Sequence, residues 1–423
     1  MNVLLLGSGG REHALAWRLS QSPLCAALYI APGNAGTATY GTNLAVDPND
    51  FDAVRQLVLD NNVRLVVCGP EEPLVRGLQD YFSTDEELKA VYLIGPSKEA
   101  ARLEGSKAYA KAFMQEYDIP TAAYRRFTAE EAADGEDYLA SRKGPFVLKA
   151  DGLAAGKGVV IVDGVEEAKR ELRAMLGGKF GEASSKVVVE DFLNGTEFSV
   201  FVLTDGKSYR ILPVAKDYKR AGAGDTGPNT GGMGSVSHPP FVDADLLRKV
   251  EQAIIQPTLH GIQARKLDYR GFIFIGLIVV DGEPFVIEYN CRLGDPETQS
   301  VLARLDNDLM QLLLETAEGG LTGAVIKMDD RQAATVVLTS GGYPGDYEKG
   351  KVITGMDEVT DSMVFHAGTQ LDEQDRLVTS GGRVLSVTSY GATIGEALQR
   401  CYASAERIQF EGKTYRSDIG FDL

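Results

Sequence analysis

Two side chains near residue 290 are of the kind that holds a hard cation. Glu288 and Asn290 lie two apart in a run, 284–290, that reads as a β-strand, so the pleat turns both toward one face. A carboxylate and an amide oxygen suit Mg²⁺ or Mn²⁺, which keep waters and take phosphate oxygens for their remaining positions. Arg292 shares that parity if the strand continues, and a guanidinium can clamp a carboxylate through two N–H groups. The plain alternative is a solvated strand end. Against it, the preceding run 272–280 is uniformly apolar, and a strand pair buried that thoroughly rarely turns charge inward without use.

Two glycine-bearing stretches add possible anion sites. In Lys149-Ala150-Asp151-Gly152-Leu153-Ala154-Ala155-Gly156-Lys157-Gly158 a Gly/Ala loop joins two strand-like runs, with Lys149 and Lys157 near its ends. It is not a Walker A loop: the spacing is one residue short, Gly158 stands where Ser or Thr belongs, and a strand follows. A simple hairpin remains one reading. The other is a lid whose amides and ammonium groups neutralise a triphosphate. In Gly7-Ser8-Gly9-Gly10-Arg11-Glu12-His13, Glu12 occupies the third glycine position of a dinucleotide fingerprint, and the next strand ends at Ala31-Pro32 without a ribose-binding acid. That leaves a tight turn, or a site for a phosphate or small polar ligand. Glu190, Leu193 and Glu197 are compatible with an adenine and ribose site, although an ordinary strand and turn explains them more simply.

Regular elements must position these groups. Runs 3–6, 27–30, 64–68 and 91–94 read as buried strands, alternating with helical patterns at 12–19 and 51–59. Each strand ends in a Gly- or Pro-rich loop, and in an open parallel sheet such loops share the edge where ligands bind. One helix is predicted over 97–117, then strands at 146–149, 159–162, 186–191, 198–203 and 211–213. The polar, glycine-rich stretch 216–237 is too long for a default connector and reads as a functional loop. Helices follow at 243–263 and 297–318, flanking strands 272–280 and 284–290. Strands 333–338, 363–366 and 383–389 and a helix over 394–408 close the chain. The expected fold is α/β and α+β multidomain, with a doubly wound parallel sheet first and a β-rich domain last.

Composition narrows the partners. The 423 residues carry 60 acidic and 43 basic side chains, a formal charge of −17, which disfavours nucleic acid and anionic lipid. No apolar run approaches the roughly 18–20 residues of a membrane span, and the start has no secretory signal pattern. Cys25, Cys68, Cys291 and Cys401 are scattered, as are the four histidines, so no zinc cluster is predicted. A cytoplasmic protein with reduced thiols, acting as a monomer on small molecules, is expected.

Taken in order, these blocks resemble the ATP-grasp ligases, and within them the phosphoribosylamine–glycine ligase (glycinamide ribonucleotide synthetase) family of purine biosynthesis. The resemblance spans nearly the whole chain. It rests on the Gly7–Ala14 block, on Ala31-Pro32-Gly33-Asn34-Ala35-Gly36-Thr37, on 149–159, on Asp225-Thr226-Gly227-Pro228-Asn229-Thr230-Gly231-Gly232-Met233-Gly234, and on 288–297. It implies an N-terminal substrate domain at 1–105, an ATP-grasp domain at 106–326 with a lid subdomain near 121–192, and a C-terminal domain at 327–423. It implies ATP as substrate with Mg²⁺ or Mn²⁺ on Glu288 and Asn290, and nucleotide contacts from Lys107, Lys149, Gly156, Lys157, Glu190, Leu193 and Glu197. Phosphoribosylamine would lie against Gly9, Gly10, Arg11, Glu12, Pro70 and Glu71, and glycine near Arg292, Asp217 and Asp295, with Lys157 assisting transfer. The implied reaction joins glycine to the amine through a glycyl phosphate, giving glycinamide ribonucleotide, ADP and phosphate. Another ATP-grasp carboxylate–amine ligase of purine metabolism is the nearest alternative, and a nucleotide-binding sensor a more distant one. Departures from the family pattern are Tyr218 in Asp217-Tyr218-Lys219, where relatives read Asp-His-Lys, Leu293 in place of Phe, the glycines of 219–224, and the lack of an acid in 272–280.

Overall fold

Alternation along the first strand sets the N-terminal layer. In Asn2–Gly7, Leu4 and Leu6 join the apolar cluster holding Val54, Leu57 and Val58 of the helix Phe51–Asp60. Val3 and Leu5 join the cluster of Ala14, Leu15 and Leu19 on the helix Gly10–Ser20, across the opposite face. A strand covered on both sides reads as an unbroken apolar run. Ala27–Pro32, Thr42–Asn43, Val63–Cys68 and Tyr92–Pro96 complete the layer with parallel pairing throughout. The computed structural model describes residues 1–154 and 158–423.

The strand Tyr269–Val280 carries this layer into the next. Tyr269 and Arg270 pair antiparallel with Pro96 and Gly95, while the following residues pair with Thr196–Thr204 on one side and Glu283–Asn290 on the other. One nine-stranded sheet results, parallel at one end and antiparallel at the other. A separate four-stranded antiparallel sheet, Tyr124–Thr128, Lys186–Asp191, Phe146–Ala150 and Val159–Val162, is backed by the helices Ala132–Ala140 and Val165–Leu176 around its own core. A five-stranded antiparallel sheet, built mainly from Gln332–Thr339, Arg383–Gly391 and Met363–His366, packs under the helix Ile394–Arg407.

Several elements differ from the sequence reading. The helix predicted over 97–117 is split into Arg102–Gly105 and Lys107–Glu116, because Ser106 takes an extended conformation and its side chain caps the second helix at Tyr109 N–H. Asp308 does the same at Gln311 N–H, dividing 297–318 into Glu297–Arg304 and Leu309–Glu318. Between Ala244–Val250 and Gln256–Ala264 lies a π-helical turn, Glu251–Ile255, just before Pro257, which lacks an N–H for the regular ladder. The stretch 216–237 is not a loop. It contains the strand Lys216–Asp217, a ribbon of Arg220–Gly222 against Thr226–Asn229, and Gly234–Ser237, which joins the C-terminal sheet. Gly234 is required there, since a side chain would meet the Thr335 carbonyl. Among the described residues, no helix is long and apolar enough to cross a membrane.

Candidate active site

Three sheets converge where the strand Glu283–Asn290 ends. Its register against Tyr269–Val280 slips between Gly276 and Leu277, so that Gly276 faces Glu288 while Leu277 faces Val286, and Ile287 is the extra residue. Beyond that bulge the alternation holds: Tyr289 is buried, and Glu288 and Asn290 are half-buried on the other face. Gly276 leaves room for the Glu288 side chain, which a Cβ would crowd.

The residues expected at the nucleotide gather between this strand and the four-stranded sheet. Lys149 Nζ lies 3.0 Å from Glu190 Oε1 and donates to the Ile287 carbonyl at 3.2 Å, bridging the two layers. Lys111 reaches the other Glu190 oxygen at 3.1 Å and donates to Thr121 Oγ1 at 2.7 Å. Burial is the largest influence on Lys111 and lowers its pKa to about 8, against the pull of Glu190. Lys107, at the start of its helix, donates to the Gly152 carbonyl at 3.3 Å; burial lowers its pKa, and Glu288 is the chief opposing influence. Asp151 ties the loop to that helix, accepting from Ser106 Oγ at 3.0 Å and Ala108 N–H at 2.7 Å. Leu193 is half-buried in the link between Lys186–Asp191 and Thr196–Thr204. Glu197 pairs with Lys219 at 3.2 Å, and Lys219 also meets Asp217 at 3.0 Å. Solvent reaches 47% of the Glu197 side chain and 40% of Lys219, as befits groups lining an open cleft. Lys219 first, against burial, keeps the Glu197 carboxyl below its ordinary pKa. Gly156 and Lys157 lie outside the described residues.

At the parallel sheet's edge the glycines admit a carboxylate from the protein itself. Gly7 and Gly69 leave the space that Glu12 fills, and Gly7 has φ +119°, a conformation that other residues rarely adopt. Gly9 N–H donates to Glu12 Oε2 at 2.6 Å, and Arg11 Nε to Glu12 Oε1 at 2.6 Å. Arg11 N–H donates to Asp295 Oδ2 at 3.2 Å and Arg11 Nη1 to the Leu293 carbonyl at 3.1 Å. Gly10 packs against Gln299, which donates to Asp295 Oδ1 at 3.0 Å. Asp295 further pairs with Arg383 of the C-terminal sheet at 3.4 Å. Its carboxylate, expected beside a substrate, is thus engaged in fastening the N-terminal loop to the rest of the molecule.

Arg292 stands between these two regions. Its Nε donates to Glu71 Oε2 at 3.2 Å, Nη1 to the Leu293 carbonyl at 3.2 Å and Nη2 to Asn290 Oδ1 at 3.3 Å; Nη2 also pairs with Glu104 Oε1 at 3.0 Å. Burial is the main force raising Glu104, to a pKa of about 7, although Arg292 opposes it. Burial raises Glu71 too, but Arg292 and then Arg11 outweigh it, and its pKa falls below the ordinary value. Pro70 precedes Glu71 as the cap of the short helix Glu71–Arg76.

No group of three or more His, Cys, Asp or Glu suited to a metal occurs among the described residues. Glu288 and Asn290 offer two hard oxygens beside Lys107 and Arg292, which fits an ion whose other positions are taken by phosphate and water.

Comparison with known proteins follows the chain domain by domain. Models of phosphoribosylglycinamide synthetase match the N domain at residues 1–104, the ATP-grasp (A) domain at 105–298 and the C domain at 333–422. The chain belongs to the phosphoribosylglycinamide synthetase family. It is 45% identical to the phosphoribosylamine–glycine ligase of Yersinia pestis, over 100% of this chain and 98% of that protein. For the enzyme of the same name from Pseudomonas aeruginosa the identity is 46%, with the same coverage. The crystal structure of phosphoribosylamine–glycine ligase from Thermotoga maritima aligns with a TM-score of 0.84 and 37% identity, over 99% of this chain and 100% of that one. A biotin carboxylase domain from Hydrogenobacter thermophilus, solved with MgADP and bicarbonate, shares the fold alone: TM-score 0.72 and 16% identity over 98% of this chain and 91% of that one.

Within this family frame, several polar residues escaped the sequence reading. Glu104 lay inside a segment read as one continuous helix, with nothing to mark it as buried. Lys111 carries no motif, and its pairing with Glu190 spans 79 positions (190 − 111). Glu297 belongs to the 288–297 block yet received no role; it is buried, and burial followed by Asp217 pushes its carboxyl pKa up.

Proposed function

We propose that the chain joins glycine to 5-phosphoribosylamine at the expense of ATP, as the names of its full-length relatives indicate. The observation that carries this reading is the position of Arg292. It touches Asn290 on the metal side and Glu71 on the amine side, so one guanidinium spans the place where an acyl phosphate would meet an amine.

In this reading the N-terminal domain, 1–105, holds phosphoribosylamine at Gly9, Gly10, Arg11, Glu12, Pro70 and Glu71. The ATP-grasp domain, 106–326, holds ATP between its sheets, with its lid over 121–192. The domain 327–423 braces the ATP-grasp domain through Arg383 on Asp295 and the N-terminal domain through His366 N–H on His13. Lys107, Lys149 and the 149–158 loop neutralise the phosphates, and Glu190, Leu193 and Glu197 border adenine and ribose. Glu288 and Asn290 would hold Mg²⁺ or Mn²⁺, an ion that would supply charge neutralisation at the γ-phosphate. A glycine carboxylate oxygen attacks the γ-phosphorus, and the bond to ADP breaks. The amine nitrogen then attacks the carbonyl carbon; phosphate leaves with the C–O bond's electrons, and the nitrogen loses one proton. No protein nucleophile is needed, so orientation, charge neutralisation and exclusion of water from the acyl phosphate supply the catalysis. Arg292 and Asp217 orient glycine, and Asp295 orients the loop that faces it. The protein acts in the cytoplasm as a monomer.

The test is ADP release from Mg·ATP with glycine, with and without freshly prepared phosphoribosylamine. Release that needs both supports the reading. Release with another carboxylate in place of glycine transfers the function to a different ligase of the same fold.

A further inference from the structure

Arg292 has little room for a substrate as it stands. A carboxylate grips a guanidinium with two oxygens either along Nε and Nη2 or across Nη1 and Nη2. Along the first edge Glu71 holds Nε, and Asn290 and Glu104 share Nη2; across the second, Leu293 O holds Nη1. Both two-pronged faces are therefore occupied in part by the protein's own acceptors.

These acceptors are not equally fixed. Glu104 is 5% exposed and also accepts Cys291 N–H at 2.7 Å, so it is locked from behind. Leu293 O is backbone. Glu71 is 31% exposed, sits at the ligand edge of the parallel sheet and meets Arg292 through one oxygen only. It is the one carboxylate on Arg292 that can swing away without disturbing a core. Arg11, which already influences Glu71, is the cation it would turn toward.

We propose that Glu71 is a built-in stand-in for the substrate carboxylate: it occupies Arg292 until phosphoribosylamine engages it, and only then is Arg292 released to grip glycine. This rests on the functional reading above. The amine substrate carries an amino group and hydroxyls, donors that match a carboxylate, so its arrival beside Pro70 and Glu71 draws Glu71 off Nε. Glycine is thereby held most firmly when its acceptor is in place, which limits formation of an acyl phosphate that water would destroy. Glu71 is a positioning residue that acts through Arg292.

The experiment measures glycine affinity by calorimetry on the full chain loaded with Mg²⁺ and a non-hydrolysable ATP analogue, for the wild type, Glu71→Gln, Glu71→Asp and Glu104→Gln. Losing one half-exposed, charge-assisted contact on the competing side should tighten glycine binding by about 3- to 10-fold in both Glu71 variants. The shortened but still charged Glu71→Asp separates loss of contact from loss of charge. Glu104→Gln should weaken glycine binding, because it slackens Arg292 from the buried side. In turnover, Glu71→Gln should raise KM for phosphoribosylamine while increasing glycine-dependent ADP release without the amine, a split that a general loosening of the fold does not produce. Glycine binding unchanged or weaker in both Glu71 variants overturns the stand-in role. Wild-type protein that releases no ADP from Mg·ATP and glycine even when phosphoribosylamine is present overturns the functional reading instead, so the two failures are distinct.

Discussion

Glu190→Gln is the most informative perturbation of the buried charges beside the four-stranded sheet. The Glu190 carboxylate lies between two ammonium groups, 3.1 Å from Lys111 and 3.0 Å from Lys149, and none of the three side chains is more than 7% exposed. The amide keeps the shape but leaves two buried like charges without a counter-ion, and breaking a buried pair in this way costs about 3–5 kcal/mol. For a cooperative unit of roughly 200 residues that corresponds to about 6–20 °C in Tm. Lys111 supplies an internal control. Its folded pKa of about 8 lies below that of a solvated lysine, so between the two values the unfolded chain binds more protons and stability rises with pH. Without Glu190 the Lys111 pKa falls further, and the variant sheds this proton at a lower pH than the wild type. Its deficit should therefore be largest near about pH 6 and shrink by about pH 9, once Lys111 is neutral in both proteins. Calorimetric melts at the two pH values, on Glu190→Gln, Lys111→Met and the double variant, measure the effect. The double variant should melt above Glu190→Gln, since one unpaired charge has gone. A Glu190→Gln melt within about 2 °C of wild type, or a deficit equal at both pH values, refutes the buried-triad account.

Three shorter predictions follow from other contacts. Glu288→Gln should lower kcat for ADP release by about 100-fold or more while leaving Tm within about 2 °C, because it changes charge at a half-buried cleft position; near-normal kcat removes Glu288 from the metal role. Asp422 pairs with Lys216 at 3.1 Å, and Lys216 Nζ donates to the carbonyl of Glu197 at 3.4 Å, so Asp422→Asn should raise KM for ATP about 2- to 5-fold with little change in kcat; an unchanged KM means that this tail contact is irrelevant to the cleft. Burial holds His13 at a pKa of about 3 and His366 at about 4, with His366 N–H donating to His13 Nδ1 at 2.6 Å. Both must stay neutral, so the stability they contribute is complete above the unfolded value near 6.5 and is lost as pH falls toward 4. In His13→Gln that loss should be shallower by up to about 1.4 kcal/mol per pH unit, and equal slopes in acid unfolding contradict it.

What the chain reveals in advance is what depends on local period. Leu4 and Leu6 against Val3 and Leu5 announce a strand buried on both faces, and the parity of Glu288 and Asn290 sets both on one face, whereas Arg292 lies past the strand's end and reaches back to Asn290 from the turn. Local period fails where one side chain interrupts a pattern that otherwise continues. Ser106 and Asp308 sit inside helical text, yet each side chain can replace a backbone acceptor and start a new helix. The stretch 216–237 misleads for another reason. Its glycines look like freedom, but Gly234 is there because the neighbouring Thr335 strand comes too close for a side chain. Lys111 with Glu190, and Asp295 with Arg383, are invisible in sequence because each pairs elements far apart in the chain, and only burial gives the pairing its energetic weight.

The Gly7–Glu12 loop shows why a motif and its chemistry must be argued separately. A helix N-terminus preceded by glycines is an anion site in general, because its unpaired amides and the helix dipole both favour negative charge. Here the amides of Gly9 and Arg11 already face carboxylates, Glu12 from the same helix and Asp295 from 284 positions away. A third anion at that end would meet two like charges. Those two amides are therefore closed to an outside anion, and the Arg11 guanidinium of the same loop answers the Glu12 carboxylate. The glycines are identical in both cases. What reverses the chemistry is Asp295, and that residue reaches the loop only because strand Tyr269–Val280 welds the parallel sheet to the antiparallel one and brings the 292–297 turn alongside.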